Sequence, residues 1–489
     1  MIRVILNSPG YTYDVHSLVK AFYPEEDVKI ITDDIEGSEE EPLIVVTVSS
    51  GDIDKNEIVT GRICLEYIYK DTHLREEGEY EDADRAMVKN ELKLALYRLL
   101  ERVTGRRLPW GTLTGIRPTK IPMKMINENK SDEDIKDYLK NVYYCSNEKS
   151  NLATEIAHLE KNITDQVTVE GYSLYIGIPF CPTTCLYCSF TSYPISIWKK
   201  RVREYLDALK KEIDYLADLK KDEGPDSVYI GGGTPTTLEA DELRELIGYL
   251  KGKINFDKVK EFTVEAGRPD SITRDKLIAL KECGVTRLSI NPQTMNEETL
   301  KIIGRRHTIE QVYDAFELAR EVGFTNINMD LILGLPGEDE AAVRNTLDKI
   351  RKLDPDSLTV HSMAIKRAAG MHKFLEEHEE IETINTPAMM DMAIAAAHAM
   401  DMKPYYLYRQ KNMTGNLENI GFSKEGKYGI YNILIMEEVQ TIIACGAGTV
   451  TKRVYGDGRI ERCDNVKDVE LYIEKIDEMI ERKRELFKD

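Results

Sequence analysis

The sequence predicts an α/β fold centred on an open, partial (βα)6 barrel, with an N-terminal α+β domain before it and a C-terminal α+β cover after it. Three observations predict this. Six β-like apolar runs, Leu174 to Ile178, Ser227 to Ile230, Glu261 to Val264, Arg287 to Ile290, Ile327 to Ile332 and Ser357 to His361, have helix-length segments between nearly all of them. Such alternation forces parallel strands joined by right-handed crossovers. Six units fall short of the eight in a closed barrel, so the barrel stays open, with its active face at the strand C-termini. Chemistry-bearing residues gather at those same ends: cysteines after the first run, glycines after the second, and single polar residues at later ones.

The flanking elements follow in order. Short β-like runs at Arg3 to Leu6, Val28 to Thr32, Leu43 to Val48 and Arg62 to Tyr69, with a helix-like stretch near Val15 to Phe22, read as a small α+β domain. Between Glu81 and Val103 the apolar residues Ala83, Met87, Leu92, Leu94, Ala95, Leu99 and Leu100 recur mostly at three- and four-residue steps, which predicts an amphipathic helix ending at Gly105. The segment from Pro109 to Lys120 is loop-forming, and its Trp110 is expected to pack. Helical stretches near Asp132 to Tyr143 and Asn147 to Val167 lead to a boundary near Val169, giving domains 1–168, 169–368 and 369–489. The last of these holds a helix from Pro387 to Met402, β-like runs at Tyr405 to Tyr408, Ile430 to Met436 and Thr441 to Ala444, and a charged helix from Val466. It is expected to cover the barrel's open side.

With 489 residues, 42% of them hydrophobic, the chain buries a sizeable core. A formal charge of -20 argues against a general binder of nucleic acid or anionic membrane, since such partners need basic patches. The start, Met-Ile-Arg-Val-Ile-Leu-Asn-Ser, has no signal-peptide core, and no apolar run reaches transmembrane length; a cytoplasmic monomer is expected. Of eight cysteines, Cys64, Cys145, Cys283, Cys445 and Cys463 are scattered, so a disulfide framework is not expected.

The other three close the first barrel run as Cys181-Pro-Thr-Thr-Cys185-Leu-Tyr-Cys188. A cubane iron–sulfur cluster needs one thiolate per iron, so three close cysteines leave one iron open to another ligand. A structural zinc site is the competing reading, but it calls for a second Cys/His pair, and none is evident. After the second run comes Tyr229-Ile-Gly-Gly-Gly-Thr-Pro-Thr236, where glycines let backbone approach a ligand. Glu265, Gln293, Arg305 and Asp330 follow at successive strand ends or within them. Asp330 stands in an otherwise apolar strand, which is costly unless it is paired or ligand-bound; Arg305 is a candidate partner.

Together these motifs resemble the radical S-adenosylmethionine (SAM) superfamily, over roughly Tyr172 to Thr451, and within it the branch of oxygen-independent coproporphyrinogen III oxidases. The resemblance implies a TIM-like radical SAM barrel, a [4Fe-4S] cluster on Cys181, Cys185 and Cys188, and S-adenosyl-L-methionine held by Tyr175, Tyr187, Gly233, Thr234, Glu265, Gln293, Arg305, Asp330 and Ala364. It further implies reductive cleavage of S-adenosylmethionine, a tetrapyrrole substrate, and an electron donor such as flavodoxin or ferredoxin. The implied reaction converts coproporphyrinogen III to protoporphyrinogen IX in haem biosynthesis. Ser189-Phe190 replaces the oxidase's Gly-Cys and is closer to the related haem chaperones, yet Tyr431 to Met436 lacks the chaperones' haem-ligating histidine. The block from Tyr405 to Asn419 resembles oxidase-like dehydrogenases of anaerobic Gram-positive bacteria. A haem-delivery protein, or a radical enzyme that methylates or opens a porphyrin, are the alternatives. For an acidic substrate the candidate cations are Arg409 and Lys411, with neighbouring tyrosines to pack on the macrocycle.

Overall fold

The computed structural model describes every residue except 25, 33–40, 50–59, 82–83, 116, 222, 365–369, 379, 410–416 and 489. It divides into two compact units, Met1–His158 and Leu159–Asp489.

The first unit is built on β1 (Ile2–Leu6), α1 (Thr12–Phe22), β2 (Val28–Ile31), β3 (Leu43–Ser49), β4 (Thr60–Tyr69), β5 (Thr72–Glu81) and α2 (Arg85–Thr104), with α3 (Lys120–Asn127), α4 (Asp132–Tyr143) and α5 (Asn147–Thr164) after them. The five strands form one sheet in the order β2-β1-β3-β4-β5. β1 alternates buried and half-buried residues, so Ile2, Val4 and Leu6 share a core face with Val15, Val19, Leu92 and Leu96 of the helices. At the start of α2 the Asp84 carboxylate accepts from the amides of Ala86 and Met87, and Gly105, at φ 67°, ends the helix in the left-handed region that glycine favours. Trp110 is buried as expected, at 1% exposure.

The second unit carries the parallel strands β6 (Tyr172–Ile178), then two short pieces β7 (Phe180–Cys181) and β8 (Tyr193–Pro194) with α6 (Ile195–Trp198), and α7 (Val202–Lys220), β9 (Ser227–Gly232), α8 (Ala240–Lys253), β10 (Glu261–Gly267), α9 (Arg274–Glu282), β11 (Arg287–Gln293), α10 (Glu297–Ile302), α11 (Ile309–Glu321), β12 (Ile327–Leu333), α12 (Glu340–Leu353) and β13 (Ser357–Ser362). β6, β9, β10, β11, β12 and β13 lie side by side in that order, all parallel. These are the six expected strands. Each is buried along almost its whole length, and in β10 and β11 polar residues recur at every second position (Glu261, Thr263, Glu265; Arg287, Ser289, Asn291, Gln293), so one face of these strands is polar and the other apolar.

The rest comprises α13 (Met371–Glu377), α14 (Pro387–His398), β14 (Lys403–Tyr408), β15 (Asn419–Ser423), α15 (Ile430–Glu437), β16 (Thr441–Cys445), β17 (Val450–Val454), β18 (Ile460–Asp464), α16 (Val469–Glu474) and α17 (Ile476–Leu486). Its strands extend the barrel sheet instead of forming a separate cover. β15 pairs antiparallel with β13, and β16 pairs parallel with β6, giving an eleven-stranded sheet. No division therefore falls near 369. The division between the units lies inside α5, ahead of the expected 168, because Leu159 and Ile163 pack on the Tyr405, Tyr406 and Ile433 cluster. Residues 430–436, expected as a strand, are helical: the Glu261 carboxylate accepts from the amides of Ile430 (2.7 Å) and Tyr431 (3.3 Å), satisfying the first turn of α15. Among the described residues no helix is long and apolar enough to cross a membrane.

Candidate active site

The three cysteines occupy the loop after β6. That loop is pinned from three sides. Backbone amides of Gly233 and Thr234 donate to the carbonyls of Ile178 and Phe180 (both 2.7 Å), and the amide of Leu186 donates to Ile303 (3.0 Å). The Thr183 hydroxyl donates to the carbonyl of Gly304 (2.9 Å) and in turn accepts from the buried Arg268 guanidinium. Leu186 and Tyr187 pack on a core of Leu300, Ile303, Ile332, Leu335, Met363 and Met371. A Cβ on Gly233 would stand 2.6 Å from the Phe180 carbonyl and 3.0 Å from the Cys181 sulfur, so only glycine lets the strand-end turn approach the cysteine this closely. The Thr234 hydroxyl donates to Cys181 Sγ (3.5 Å). Burial pushes the Cys181 thiol up to about 11 and raises that of Cys188, so ionising them calls for a metal to compensate the lost solvation. Among the described residues no three His, Cys, Asp or Glu side chains converge on the position of a single ion. Ligands to three separate irons of one cubane have no need to.

Beside the loop, polar side chains form a continuous belt across the interior of the sheet. Tyr229 donates to one Glu265 oxygen and Asn291 Nδ2 to the other (2.8 Å). Ser289 donates to Asn291 Oδ1 (2.7 Å), and Asn328 Nδ2 donates to Ser289 Oγ (2.8 Å) and to Asp330 Oδ1 (2.7 Å). His361 Nε2 lies 3.8 Å from Asp330 Oδ2, and Tyr408 meets His361 Nδ1 at 3.4 Å. Burial, then the nearby Asp330 charge, push the Glu265 carboxyl up to about 7 against its two donors. Burial also disfavours the Asp330 carboxylate, but His361, with Asn328 and Thr359, outweighs it and holds Asp330 below the ordinary carboxylate range. Asp330 is thus partnered by His361, not by Arg305, whose guanidinium donates instead to the carbonyls of Asn291 and Pro292. Tyr175, Tyr229 and Tyr431 form a three-ring cluster, with Tyr229 and Tyr431 centroids 4.7 Å apart and Tyr175 6.0 Å from each.

Backbone irregularities fall at these residues. The β10–β11 register shifts between Glu265 and Gly267, and the β11–β12 register shifts between Ile290 and Gln293. Gln293 has φ 69°, a strained value for a non-glycine residue. Its side chain is buried with Oε1 unpartnered among the described residues, as is Arg305 Nε.

The structure therefore gathers Tyr175, Tyr187, Gly233, Thr234, Glu265, Gln293, Arg305 and Asp330 around the strand C-termini, and places Ala364 half-buried just after β13. Sequence reasoning missed the belt partners Asn291, Asn328 and Tyr408, and also Arg268 and Thr183. Arg409, after β14, is 4% exposed and so is no solvated surface cation. Lys411 lies outside the described residues. Tyr405 and Tyr406, expected to face a macrocycle, pack with Ile433 in the core, and half-buried Tyr408 packs against the same cluster, stacked on Tyr406.

The Radical SAM superfamily profile matches residues 175–350. Over 460 residues, 91% of each chain, the sequence is 39% identical to the oxygen-independent coproporphyrinogen-III oxidase-like protein HemZ of Bacillus subtilis. The chain belongs to the radical SAM superfamily, in its coproporphyrinogen oxidase-like family. Other radical SAM relatives match less of their own length: the heme chaperone HemW of Bacillus subtilis is 37% identical over 42% of this chain and 54% of its own. The oxygen-independent coproporphyrinogen III oxidase of Escherichia coli K12 is 34% identical over 39% of this chain and 42% of its own. The structure of coproporphyrinogen III oxidase HemN from Escherichia coli superposes with a TM-score of 0.51 at 22% identity, over 66% of this chain and 73% of that one, a likeness of fold.

A radical SAM protein uses a [4Fe-4S] cluster and S-adenosylmethionine, and the residues here fit both. Three thiols share one pinned loop, and a glycine turn lies against Cys181 without a Cβ. The unspent Gln293 Oε1 and Arg305 Nε, and the half-charged Glu265, are the groups that a polar ligand carrying an amine, a carboxylate and a ribose would complete.

Proposed function

We propose that this chain catalyses the oxygen-independent oxidative decarboxylation of coproporphyrinogen III to protoporphyrinogen IX. The observation that carries the reading is the continuous belt from Tyr229 to Tyr408 beside the cysteine loop, in a chain similar end to end to an oxidase-like protein. When bound, the reduced cluster and S-adenosylmethionine supply a hydrogen-abstracting radical, with the hard chemistry residing in the cofactor. Cys181, Cys185 and Cys188 hold the cluster; Gly233 and Thr234 meet the amino acid end of S-adenosylmethionine; Glu265, Gln293, Arg305 and Asp330 take its remaining polar groups, Ala364 borders the adenine, and Tyr175 and Tyr187 wall the site. A propionate side chain of the substrate would give up a hydrogen atom to the radical, then carbon dioxide from its ionised carboxylate, one electron passing to an external one-electron acceptor, and so leave a vinyl group. Arg409 is the candidate to meet a second carboxylate and hold the macrocycle in register. An electron donor of the flavodoxin or ferredoxin class and a protein acting as a monomer complete the proposal.

The test is mass spectrometry of the product after anaerobic incubation of cluster-loaded protein with coproporphyrinogen III, S-adenosylmethionine and reductant. Loss of two carbon dioxide units and four hydrogens per molecule, two for each propionate converted to a vinyl group, supports the reading; a gain of methyl groups or an opened ring replaces it. Haem delivery is the second reading, favoured by Ser189-Phe190 and by the similarity to HemW. Against it, the stretch where the chaperones carry their histidine is helix α15, whose Tyr431 is spent in the stack on Tyr175 and Tyr229. A saturable Soret shift on titration with haem, without substrate turnover, is the outcome that favours delivery.

Two expected results concern the cofactor. Asp330→Asn weakens S-adenosylmethionine binding ten- to a hundredfold, as loss of a charge-assisted hydrogen bond worth about 1.5 to 3 kcal/mol requires. Unchanged affinity with a large drop in melting temperature assigns Asp330 to holding His361 instead. With its pKa at about 7, Glu265 is largely neutral below that pH and ionised above it. A ligand bearing an ammonium and a sulfonium favours the ionised form, so affinity rises as pH increases through about 7. Glu265→Gln flattens that profile; a Glu265→Gln variant with the wild-type profile removes Glu265 from the contact.

A further inference from the structure

A cavity of about 610 Å3 opens between the cysteine loop and the start of α11, and of its lining residues the proposed reaction uses Arg305 alone. Thr183 and Thr184 of the cysteine loop form one wall. The other side carries Lys301, Arg306, His307 and Thr308, with Arg305 shared with the cofactor side and Glu297 the one acidic group.

His307 is the decisive residue. It is 3% exposed, and both ring nitrogens lack a hydrogen-bond partner among the described residues. Burial, and then the nearby Arg305 charge, lower its pKa to about 3, so the ring is neutral and carries one N–H and one lone pair, both unspent. Leaving a buried donor and a buried acceptor unmet is costly, so the pair of orphans points to a ligand. The rest of the lining specifies its charge. Lys301 and Arg306 are exposed at the rim and make no salt bridge among the described residues. Thr308 caps the thirteen-residue α11 through the amide of Gln311 (3.3 Å), which leaves the amides of Ile309 and Glu310 as the positive end of the helix beside the cavity. Three cations against one carboxylate make this a locally basic spot on a chain of net charge -20.

We propose that this cavity is an oxyanion site for a phosphate-bearing small molecule, gripped by Lys301 and Arg306 with the His307 ring donating at its base. Phosphate is preferred to carboxylate because the donors surround a volume from several directions, which suits a tetrahedral group better than a planar one. The site is coupled to the cluster ligands. Thr183 is already tied to Gly304 and Arg268, so a ligand bridging Thr183 and Arg306 stiffens the loop that carries Cys181 and Cys185.

The proposal does not depend on the identity of the substrate, and its test reads binding alone. Pyrophosphate is titrated calorimetrically into cluster-loaded protein saturated with S-adenosylmethionine, in parallel with citrate as the carboxylate probe. The expected result is one saturable pyrophosphate site per chain, weakened at least tenfold in the Lys301→Ala/Arg306→Ala double variant and unchanged in Lys199→Ala/Lys200→Ala, whose exposed lysines lie outside the cavity lining. Both substituted pairs are on the surface, so folding is preserved. Absence of saturation up to about 10 mM, near the weak end of specific binding, overturns the proposal, as does equal loss in the two double variants. Citrate binding more tightly than pyrophosphate, with the same dependence on Lys301 and Arg306, overturns the phosphate assignment and gives the site to a carboxylate of the substrate.

Discussion

Alanine at any one of Cys181, Cys185 and Cys188 is expected to strip the protein of its brown iron–sulfur absorbance and of all S-adenosylmethionine cleavage, whereas Cys445→Ala keeps both. The contrast rests on where the four thiols stand. The first three are half-buried on a loop held by hydrogen bonds at Thr183, Leu186 and Cys188, and losing one leaves a cubane with two protein ligands. Cys445 is fully buried in β16, paired in register with Ile176, and burial raises its thiol well above the usual range, so it is protonated and inert. Its truncation leaves a small cavity at a cost of about 1 kcal/mol. Gly233→Ala is the graded case: its Cβ meets backbone at 2.6 Å, so the turn must move and the cluster is bound in lower yield. Iron and sulfide analysis of anaerobically reconstituted protein, with the visible spectrum, reads all of these. Full iron content in Cys188→Ala together with loss in Cys445→Ala would falsify the ligand assignment.

How far the sequence spoke for the structure depends on whether a residue's environment was local. The six barrel strands were legible because each is a short β-like run, separated from the next by a helix-length segment, with chemistry-bearing residues at or near its C-terminal end. β5 was not: Thr72–Glu81 is a mostly exposed edge strand of glutamates, carried by its ladder with β4 and not by any alternation of its own. Residues 430–436 looked like a strand because Ile and Leu dominate them; the helix there depends on Glu261, 169 residues earlier in the chain. At the site, the motif residues stood out, while Asn328 and Asn291 needed the register. A period-two reading would have found Asn328, which shares a strand face with Asp330 two residues on. Arg268 on Thr183, and the empty-handed nitrogens of His307, are tertiary facts with no local signal.

Lys483→Met is expected to destabilise the Leu159–Asp489 unit by about 3 to 5 kcal/mol, the usual cost of removing one partner of a buried ion pair. Lys483 and Glu212 have 1% and 0% side-chain exposure, with Nζ 2.5 Å from Oε1. Every polar atom of the pair is used. Glu212 also accepts from Asn465 Nδ2 (2.8 Å), the Gly446 amide (2.8 Å) and the Tyr472 hydroxyl (2.5 Å), and Lys483 donates to Asn465 Oδ1 (2.7 Å). The network ties α7, α16 and α17 to the turn after β16. That turn in turn rests on β6: a Cβ on Gly446 would lie 2.5 Å from the Gly177 carbonyl, in the strand that leads into the cysteine loop. Burial alone would lower the Lys483 pKa, but the Glu212 charge outweighs it and raises it above 10.5. By linkage a raised lysine pKa contributes stability that is fully present below the unfolded value and is lost only as pH climbs through the folded one. The lysine's contribution is therefore intact through neutral pH and is lost only as pH climbs into the alkaline range. Met at 483 removes the countercharge and leaves the Glu212 carboxylate buried among three neutral donors. The Glu212→Gln/Lys483→Met double variant, with no charge left to bury, is expected to be more stable than Lys483→Met alone. Urea unfolding followed by Trp198 fluorescence in a Trp110→Phe background reads this unit by itself. A single variant within about 0.5 kcal/mol of wild type, the range of ordinary surface changes, or a double variant less stable than the single, would mean that the pair is not what holds the terminal helix against the barrel.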